Sequence, residues 1–227
     1  MVRAVIFDCD GVLVDSEIIA VEVETALLAE IGLHYEIPEF TARFMGMSDK
    51  AFYAALSEDS RQQRGCDLPS DFKARVDAGK HVLNEQKLSA IAGIEQAAAR
   101  LCLPKAVASS SEVHRLDYKL RKTGLWEIFA PHIYSADHVT HAKPAPDLFL
   151  YAANALATAP SDCLVIEDSV NGVKAGLAAG MRVWGFAGGG HMDDGGRARL
   201  TAAGAECVVN DWGAATALFD ALQAEIA

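Results

Sequence analysis

An apolar stretch that ends in several carboxylates constrains this chain more than any other part of it. Residues 5–16 read Val-Ile-Phe-Asp-Cys-Asp-Gly-Val-Leu-Val-Asp-Ser, so Asp8 and Asp10 directly follow the apolar run. A buried carboxylate is costly unless it is paired with a cation, bound to a metal or protonated. We therefore expect a buried strand that delivers Asp8, as a nucleophile, to a reactive site.

The rest of the chain alternates between two kinds of pattern. Helical apolar spacing dominates residues 16–88, whereas short apolar runs alternate with helical segments from residue 89 onward. Strands that alternate with helices indicate βαβ units and a parallel sheet. The sequence therefore predicts an α/β fold, a Rossmann-like parallel sheet with helices on both faces, formed by residues 1–15 and 89–227. Residues 16–88 are predicted to form an inserted helical cap domain.

Individual elements of the two predicted domains can be placed. Core strands are predicted at residues 4–7, 105–108, 132–135, 164–166, 182–186 and 207–210. Within the cap, Ser48 is predicted to cap a helix that contains Phe52. The aromatic stripe of Phe40, Phe44 and Phe52 is predicted to be the core of the cap rather than a surface for substrate.

Composition and charge exclude several classes of function. The net charge of -11 disfavours a nucleic-acid surface, which needs a basic stripe. No apolar run approaches the roughly 18 residues of a membrane span, and Asp8 and Asp10 interrupt the apolar start, so we expect neither a membrane segment nor a signal peptide. The five cysteines are scattered without a CxxC pair, which predicts reduced thiols in a cytoplasmic protein. No pattern specifies an oligomeric state.

Polar side chains follow the predicted strands at the points where these strands end. Asp8, Ser109 and the pair Glu167 and Asp168 follow three different strands, and Lys143 lies in a loop before a helix. Open α/β sheets bind ligands at the carboxyl ends of their strands. We therefore expect these side chains to converge in one crevice.

The acids of this set suit a hard cation. Asp8, Asp10 and Asp168 supply carboxylate oxygens, and Glu167 is adjacent to the last of them. Such donors favour Mg²⁺, and a divalent cation permits several ionised carboxylates to lie close together. The sequence therefore predicts Mg²⁺ as the cofactor.

The remaining side chains of the set suit phosphate. Lys143 would add a point charge and Ser109 a hydroxyl donor, both fitted to phosphate oxygens. A carboxylate nucleophile, Mg²⁺, a lysine and a serine around one phosphoryl group are the parts of phosphoryl transfer through an aspartyl phosphate. We therefore predict this chemistry for Asp8.

Four segments resemble the motifs of the haloacid dehalogenase-like hydrolase superfamily. They are Asp8-Cys9-Asp10-Gly11-Val12-Leu13-Val14-Asp15-Ser16, Val107-Ala108-Ser109-Ser110, Lys143-Pro144 and Ile166-Glu167-Asp168-Ser169. Their order and spacing match, and the predicted cap is similar to that of the group containing β-phosphoglucomutases and sugar-phosphate phosphatases. The resemblance implies a phosphoric monoester hydrolase that acts on a small phosphorylated metabolite.

The resemblance implies a role for each matched acid. Asp8 would attack phosphorus, and Asp10 would protonate the leaving alcohol and then deprotonate water. The backbone carbonyl of Asp10 would bind the metal. Asp168 would be a metal ligand, and Glu167 would be one directly or through water. The dehalogenases of the superfamily lack an acid at the position of Asp10, so dehalogenation is not expected.

The other matched residues are implied to hold phosphate. Ser109 and Lys143 would bind the transferring phosphoryl group, and the backbone of Ser110 would assist. The side chains of Ser110 and Ser111 are otherwise expected to cap the helix that follows.

Some residues near the motifs are given structural roles only. Asp15 and Ser16 are expected to cap the first helix of the cap domain, and Cys9 is expected to be a small buried hydrophobe. The Gly-Gly-Gly-His segment at 188–191 lacks the Walker pattern. We expect it to be a flexible loop in which His191 is exposed.

Two positions favour hydrolysis over phosphate migration. Mutases of this group carry a histidine at the position of Ala20 and an arginine soon after a Gly-x-Ser, where Asp49 follows Gly46-Met47-Ser48 in this chain. A mutase also needs a second cationic clamp for its bisphosphate intermediate, and only Arg43 and Lys50 lie nearby. We predict a phosphatase of the sugar-phosphate or sugar-acid-phosphate class, with a phosphosugar mutase as the alternative.

A non-catalytic switch that stores an aspartyl phosphate is a third interpretation. Receiver domains of this kind also combine acids, a hydroxyl and a lysine. They place the phosphorylated aspartate after their third strand, however, and lack an acid two residues later. Asp10 and the inserted residues 16–88 therefore disfavour the switch.

Overall fold

The computed structural model describes residues 1–44, 47 and 49–224. It divides the chain into two compact units, Met1–Asp15 with Ser89–Ala227, and Ser16–Leu88. Ser48, which was predicted to cap a helix, and Gly46 lie outside the described residues. Within the described residues, the helices in chain order are α1 Ser16–Glu30, α2 Ile37–Phe44, α3 Asp49–Arg64, α4 Phe72–Lys87, α5 Ile94–Arg100, α6 Val113–Lys122, α7 Trp126–Phe129, α8 Asp147–Ala155, α9 Val170–Ala178, α10 Asp194–Ala202 and α11 Trp212–Ala224.

The larger unit is built on a parallel sheet. Its strands are β1 Ala4–Phe7, β2 Lys105–Ser109, β3 Ile133–Ser135, β4 Cys163–Glu167, β5 Arg182–Phe186 and β6 Cys207–Val209. The order is β3-β2-β1-β4-β5-β6, so β1 lies between β2 and β4, where the order of the strands reverses. Ligands bind at such a switch point. The predicted α/β, Rossmann-like fold is confirmed.

Both faces of the sheet are apolar because successive side chains of a strand point to opposite sides. On one face, Ile6 belongs to a buried cluster that includes Phe149 of α8 and Val173 of α9. On the other face, the ring of Phe7 lies 5.4 Å from that of Phe129 and 5.7 Å from that of Trp212, measured between centroids. Helices on both faces explain why the strands read as continuous apolar runs.

Two strands continue one residue further than their apolar runs. Ser109 is the last residue of β2 and pairs with Ser135, and Glu167 is the last residue of β4 and pairs with Gly185. Both polar side chains are buried. The main-chain ladder, and not the apolar pattern, therefore sets where these strands end.

The smaller unit is helical and has its own core. Phe40, Phe44 and Phe52 are buried in one cluster, as predicted for the aromatic stripe. The ring centroids of Phe40 and Phe44 are 5.0 Å apart, and those of Phe44 and Phe52 are 5.4 Å apart. Of the helices that the structure describes, none has both the length and the apolar character that a membrane span requires.

Candidate active site

Asp8 is held at the end of the central strand by a buried lysine. Its backbone N–H donates to the carbonyl of Ile166 at 3.0 Å, which ties the residue to β4. Lys143 Nζ lies 2.6 Å from Asp8 Oδ1 and 2.7 Å from Glu167 Oε1, and it donates to the carbonyl of Ala108 at 2.9 Å. Since an ammonium group has three donors, each proton of Lys143 has a partner.

The second oxygen of Glu167 is held by the start of α9. Glu167 Oε2 accepts from the N–H and the hydroxyl of Ser169, at 2.8 and 2.9 Å. A Cβ atom on Gly172 would lie 1.8 Å from the Glu167 carboxyl carbon, so only glycine leaves room for this carboxylate. Glu167 is therefore a fixed partner that orients Lys143.

Acids outnumber cations around Asp8. Burial raises the pKa of Asp8, Lys143 opposes this rise, and the carboxylates of Glu167, Asp168 and Asp10 reinforce it. Burial alone would lower the pKa of Lys143, but Asp8 and Glu167 raise it above its ordinary value. The edge of the sheet thus carries surplus negative charge that a divalent cation would offset.

Asp10 contacts a different set of residues, on the segment from β2 to α6. Ser111 Oγ donates to Asp10 Oδ2 at 2.8 Å, and Ser109 Oγ lies 3.5 Å from the same oxygen. Lys119 Nζ is hydrogen-bonded to Asp10 Oδ1 and lies 3.0 Å from Ser111 Oγ. The expectation that the side chains of Ser110 and Ser111 cap α6 is wrong, because Glu112 occupies the N-cap position.

His191 lies against the fourth acid of the site. Its Nε2 is 3.2 Å from Asp168 Oδ2, and the two side chains are only 5% and 8% exposed. The backbone N–H of Gly190 donates to Asp15 Oδ1 at 3.0 Å, which ties the same loop to the first motif. The expectation of an exposed His191 is therefore wrong, because two contacts hold the loop: His191 with Asp168, and Gly190 with Asp15. Asp15, which was expected only to cap a helix, accepts one of these two contacts.

Gly11 makes this convergence of segments sterically feasible. It has a φ of 73°, and a Cβ on it would lie 1.9 Å from Asp168 Oδ2 and 2.7 Å from His191 Cε1. Any larger residue would push the Asp168 carboxylate away.

Comparison with known proteins identifies the family. Residues 2–180 match the model of a family described as haloacid dehalogenase-like hydrolase. The chain belongs to this family. A solved haloacid dehalogenase-like protein from Agrobacterium tumefaciens str. C58 is 39% identical, with a TM-score of 0.90, and the match covers 98% of this hydrolase and 100% of that chain.

Two named relatives of the hydrolase are phosphatases. Hexitol phosphatase B of Escherichia coli (strain K12) is 32% identical over 189 residues, which are 80% of this chain and 82% of the relative. The 6-phosphogluconate phosphatase of the same strain is 28% identical over 185 residues, 82% of each chain. The predicted class of enzyme, a phosphoric monoester hydrolase, is confirmed.

The predicted residues of the hydrolase fall into two groups. Asp8, Lys143 and Glu167 form one hydrogen-bonded group, and Ser109 adjoins Asp10 in the other. Ser110 is exposed. Among residues 1–44, 47 and 49–224, no three or more His, Cys, Asp or Glu side chains are arranged as a metal-binding group. The oxygen donors and the surplus negative charge nevertheless fit a hard cation.

Cys9 has the structural role that the sequence predicts. It is fully buried between the two aspartates in sequence. Burial, and then the nearby carboxylate of Asp10, raises the pKa of its thiol well above the ordinary value. Because the thiolate is the reactive form, this shift disfavours Cys9 as a nucleophile.

Proposed function

We propose that this hydrolase is a Mg²⁺-dependent phosphatase of a small phosphorylated metabolite, in the sugar-phosphate or sugar-acid-phosphate class, and acts through an aspartyl phosphate on Asp8. The observation that carries the proposal is the placement of Asp8 at the end of the central strand, 2.6 Å from Lys143 Nζ. A carboxylate with an adjacent buried ammonium can approach a phosphate dianion without facing its charge alone.

The side chains divide the reaction into two steps. In the first, an oxygen of Asp8 attacks phosphorus, the bond to the substrate oxygen breaks, and Asp10 protonates the departing alkoxide. In the second, Asp10 takes a proton from water, whose oxygen attacks the aspartyl phosphate and releases inorganic phosphate and Asp8. Lys143 balances the charge on the phosphoryl oxygens in both steps, and Ser109 and the Ser110 backbone are proposed to bind these oxygens.

A cation has a defined place in this proposal. The carboxylates of Asp8 and Asp168 and the carbonyl of Asp10 would hold Mg²⁺. When bound, Mg²⁺ offsets negative charge on the phosphoryl group and the nucleophile. Glu167 would act beside these ligands by orienting Lys143, because both of its oxygens already accept hydrogen bonds.

The smaller unit favours hydrolysis over the mutase alternative. Arg43 is one of two cations that lie close in sequence to Asp49, and its guanidinium is 2.6 Å from Asp59 Oδ1. Tyr35 donates to the other oxygen of Asp59 at 2.5 Å. Using Arg43 as a clamp for a second phosphate would take the cation away from the buried Asp59 carboxylate. Arg43 therefore does not replace the histidine and the arginine that a mutase carries and that this chain lacks at Ala20 and Asp49.

The substrate class draws support from the relatives. Two of them are named for hexitol and 6-phosphogluconate phosphatase activities, and both match this chain over about four fifths of their own length. We propose phosphorylated polyols, sugars and sugar acids as the first compounds to test. All five cysteines have free thiols, which fits the cytoplasmic setting predicted from the sequence.

A substrate panel tests the proposed function. The protein is incubated with Mg²⁺ and phosphorylated sugars, sugar acids and polyols, and released inorganic phosphate is measured with and without a chelator. Chelator-sensitive release supports the phosphatase. An isomerised product without phosphate release would establish the mutase instead. Stable labelling of Asp8 without turnover of any substrate would establish the switch.

Asp10→Asn should separate proton transfer from folding. We expect activity on an alkyl phosphate to fall by about 10²- to 10⁴-fold, the usual contribution of a general acid–base group. The fold should persist because the amide has the volume of the carboxylate, but the melting temperature should fall because Lys119 loses its anionic partner. Phosphate release and circular dichroism measure the two effects, and a fully active variant would remove Asp10 from the mechanism.

His191→Leu should weaken Mg²⁺ binding rather than substrate binding. Loss of the imidazole leaves Asp168 Oδ2 without the contact at 3.2 Å, and partners of metal ligands typically contribute about 10- to 100-fold in affinity. Isothermal titration with Mg²⁺ measures the loss directly. His114→Leu, on a side chain that is 75% exposed, is the matched control. Equal Mg²⁺ affinity in both variants would contradict the prediction.

A further inference from the structure

A lysine of α6 lies on the carboxylate of Asp10. Lys119 Nζ is hydrogen-bonded to Asp10 Oδ1, although the two residues are 109 positions apart in the sequence. The Lys119 side chain is 12% exposed and that of Asp10 is 17% exposed. Salt screens such a sheltered pair less than it screens a surface pair. Lys119 is thus a second cation of the site, separate from the group around Lys143.

Ser111 links Lys119 to Asp10 through two hydrogen bonds whose donors can be assigned. The ammonium of Lys119 can only donate, so Ser111 Oγ accepts from Lys119 at 3.0 Å and uses its own proton toward Asp10 Oδ2 at 2.8 Å. The backbone N–H of Ser111 donates to Ser109 Oγ at 3.1 Å, which fixes the serine itself. Each oxygen of the Asp10 carboxylate therefore has a donor from the segment that follows β2.

Two donors on two oxygens restrict rotation of the carboxylate about its terminal bond. A protonated carboxyl keeps acceptor capacity beside its O–H, so Asp10 can accept from Lys119 and Ser111 while it carries the proton that it transfers. The ammonium also lies where negative charge develops on Asp10 when this proton leaves. Orientation and charge at the proton donor are the properties that determine its efficiency.

We propose that Lys119, together with Ser111, is a positioning residue for Asp10 in protonation of the leaving group. The inference rests on the proposed function, which assigns that proton transfer to Asp10. In the step concerned, the bond between phosphorus and the substrate oxygen breaks, its electron pair stays on that oxygen, and the Asp10 proton moves to it. Lys119 holds the carboxyl in line and offsets the charge that remains.

Leaving-group dependence distinguishes this role from phosphate binding. An alkyl phosphate needs a proton on its leaving oxygen, whereas p-nitrophenyl phosphate expels a stable anion without one. The ratio kcat/KM includes only the steps up to the phosphoenzyme, so the later use of Asp10 as a base does not enter it. Loss of a phosphate ligand or a general disturbance of the site would lower kcat/KM for both substrates alike.

The test compares Lys119→Met with Lys122→Met, on an exposed lysine of the same helix. For Lys119→Met we expect kcat/KM to fall by about 10- to 100-fold with the alkyl phosphate, which is part of the ~10²–10⁴ that a general acid contributes. With p-nitrophenyl phosphate we expect a change below about threefold. Lys119→Arg should recover most of the loss, and Lys122→Met should match the parent. Equal losses with both substrates, or none, would overturn the proposal.

Two further variants complete the test: one keeps the proposal testable if Lys119→Met folds poorly, and the other measures the coupling of Lys119 to Asp10. Ser111→Ala removes the other donor and should give the same leaving-group dependence with a smaller amplitude, even if Lys119→Met folds poorly. In an Asp10→Asn background, Lys119→Met should add no further loss, because coupled residues are not additive. If Asp10→Asn itself shows no leaving-group dependence, the proposed function fails at its proton donor. If Asp10→Asn shows the leaving-group dependence but the Lys119 and Ser111 variants do not, the positioning role fails and the proposed function stands.

Discussion

Asp8→Asn is expected to abolish phosphate release. The amide has nearly the volume of the carboxylate but cannot attack phosphorus, so the loss should be on the order of 10⁴-fold or more, as for other removed nucleophiles. Release of inorganic phosphate from the best substrate of the panel measures the effect. The fold should persist, since Lys143 retains its contacts with Glu167 and the Ala108 carbonyl.

Direct detection of the intermediate makes this prediction specific to Asp8. Mass spectrometry of the acid-quenched parent enzyme should show a phosphoryl group on the peptide that contains Asp8, and the variant should lack it. Asp67→Asn is the matched control, because Asp67 is 74% exposed and pairs with Arg61 on the surface. Turnover by Asp8→Asn, or a phosphoryl group on another residue, would show that Asp8 is not the nucleophile.

The nucleophile could be predicted from the sequence because strand ends are local features. Asp8 and Glu167 follow or end apolar runs, and parallel pairing brings such ends to one edge of the sheet. Each predicted core strand agrees with the structure to within one residue at either end. Lys143 could be placed only through its motif, since nothing in its own loop indicates that it reaches two buried acids.

Lys119 was missed because its partner lies on a distant segment. Its helix is rich in charge and resembles a solvated surface helix. One indication was present: Lys119 lies three residues after Leu116 and one before Leu120, both buried, so it shares their side of α6. A lysine beside an apolar stripe, in the helix after a motif strand, is a candidate for a role in the site.

His191 was missed for a different reason. Three glycines precede it, and glycine-rich segments are often flexible. The segment follows the carboxyl end of β5, however, and therefore starts at the same edge of the sheet as Asp8 and Asp168. The hydrogen bond from Gly190 to Asp15 and the contact of His191 with Asp168 are tertiary features that no local pattern contains.

Lys143→Met should reduce both catalysis and stability. Phosphate release should fall by about 10²- to 10³-fold, the usual effect of losing one charged or hydrogen-bonding group of a transition-state site. Methionine fills most of the lysine volume but leaves the carboxylates of Asp8 and Glu167 buried without their cation. Breaking a buried pair in this way typically lowers the free energy of unfolding by about 3–5 kcal/mol.

The pH dependence of this destabilisation follows from the pKa of Asp8. Burial already raises that pKa and Lys143 opposes the rise, so removal of the lysine raises it further above the unfolded value. The folded variant then binds more protons than the unfolded chain, and its stability falls as pH rises. The difference in unfolding free energy between parent and variant should therefore be larger at pH 8 than at pH 5. Urea unfolding in the presence of a chelator measures it without competition from a bound cation.

Lys105→Met is the matched control for this pH dependence. Lys105 is partly buried, but unlike Lys143 its ammonium donates to backbone carbonyls, those of Ala98 and Leu101, and not to carboxylates. Its removal should cost stability by a similar amount at both pH values, because no carboxylate loses a partner. If Lys143→Met shows the same flat dependence, the Asp8 carboxylate does not rely on Lys143 for its charge. The proposed nucleophile would then have to be ionised by other means, of which a bound divalent cation is the one that the donor set fits.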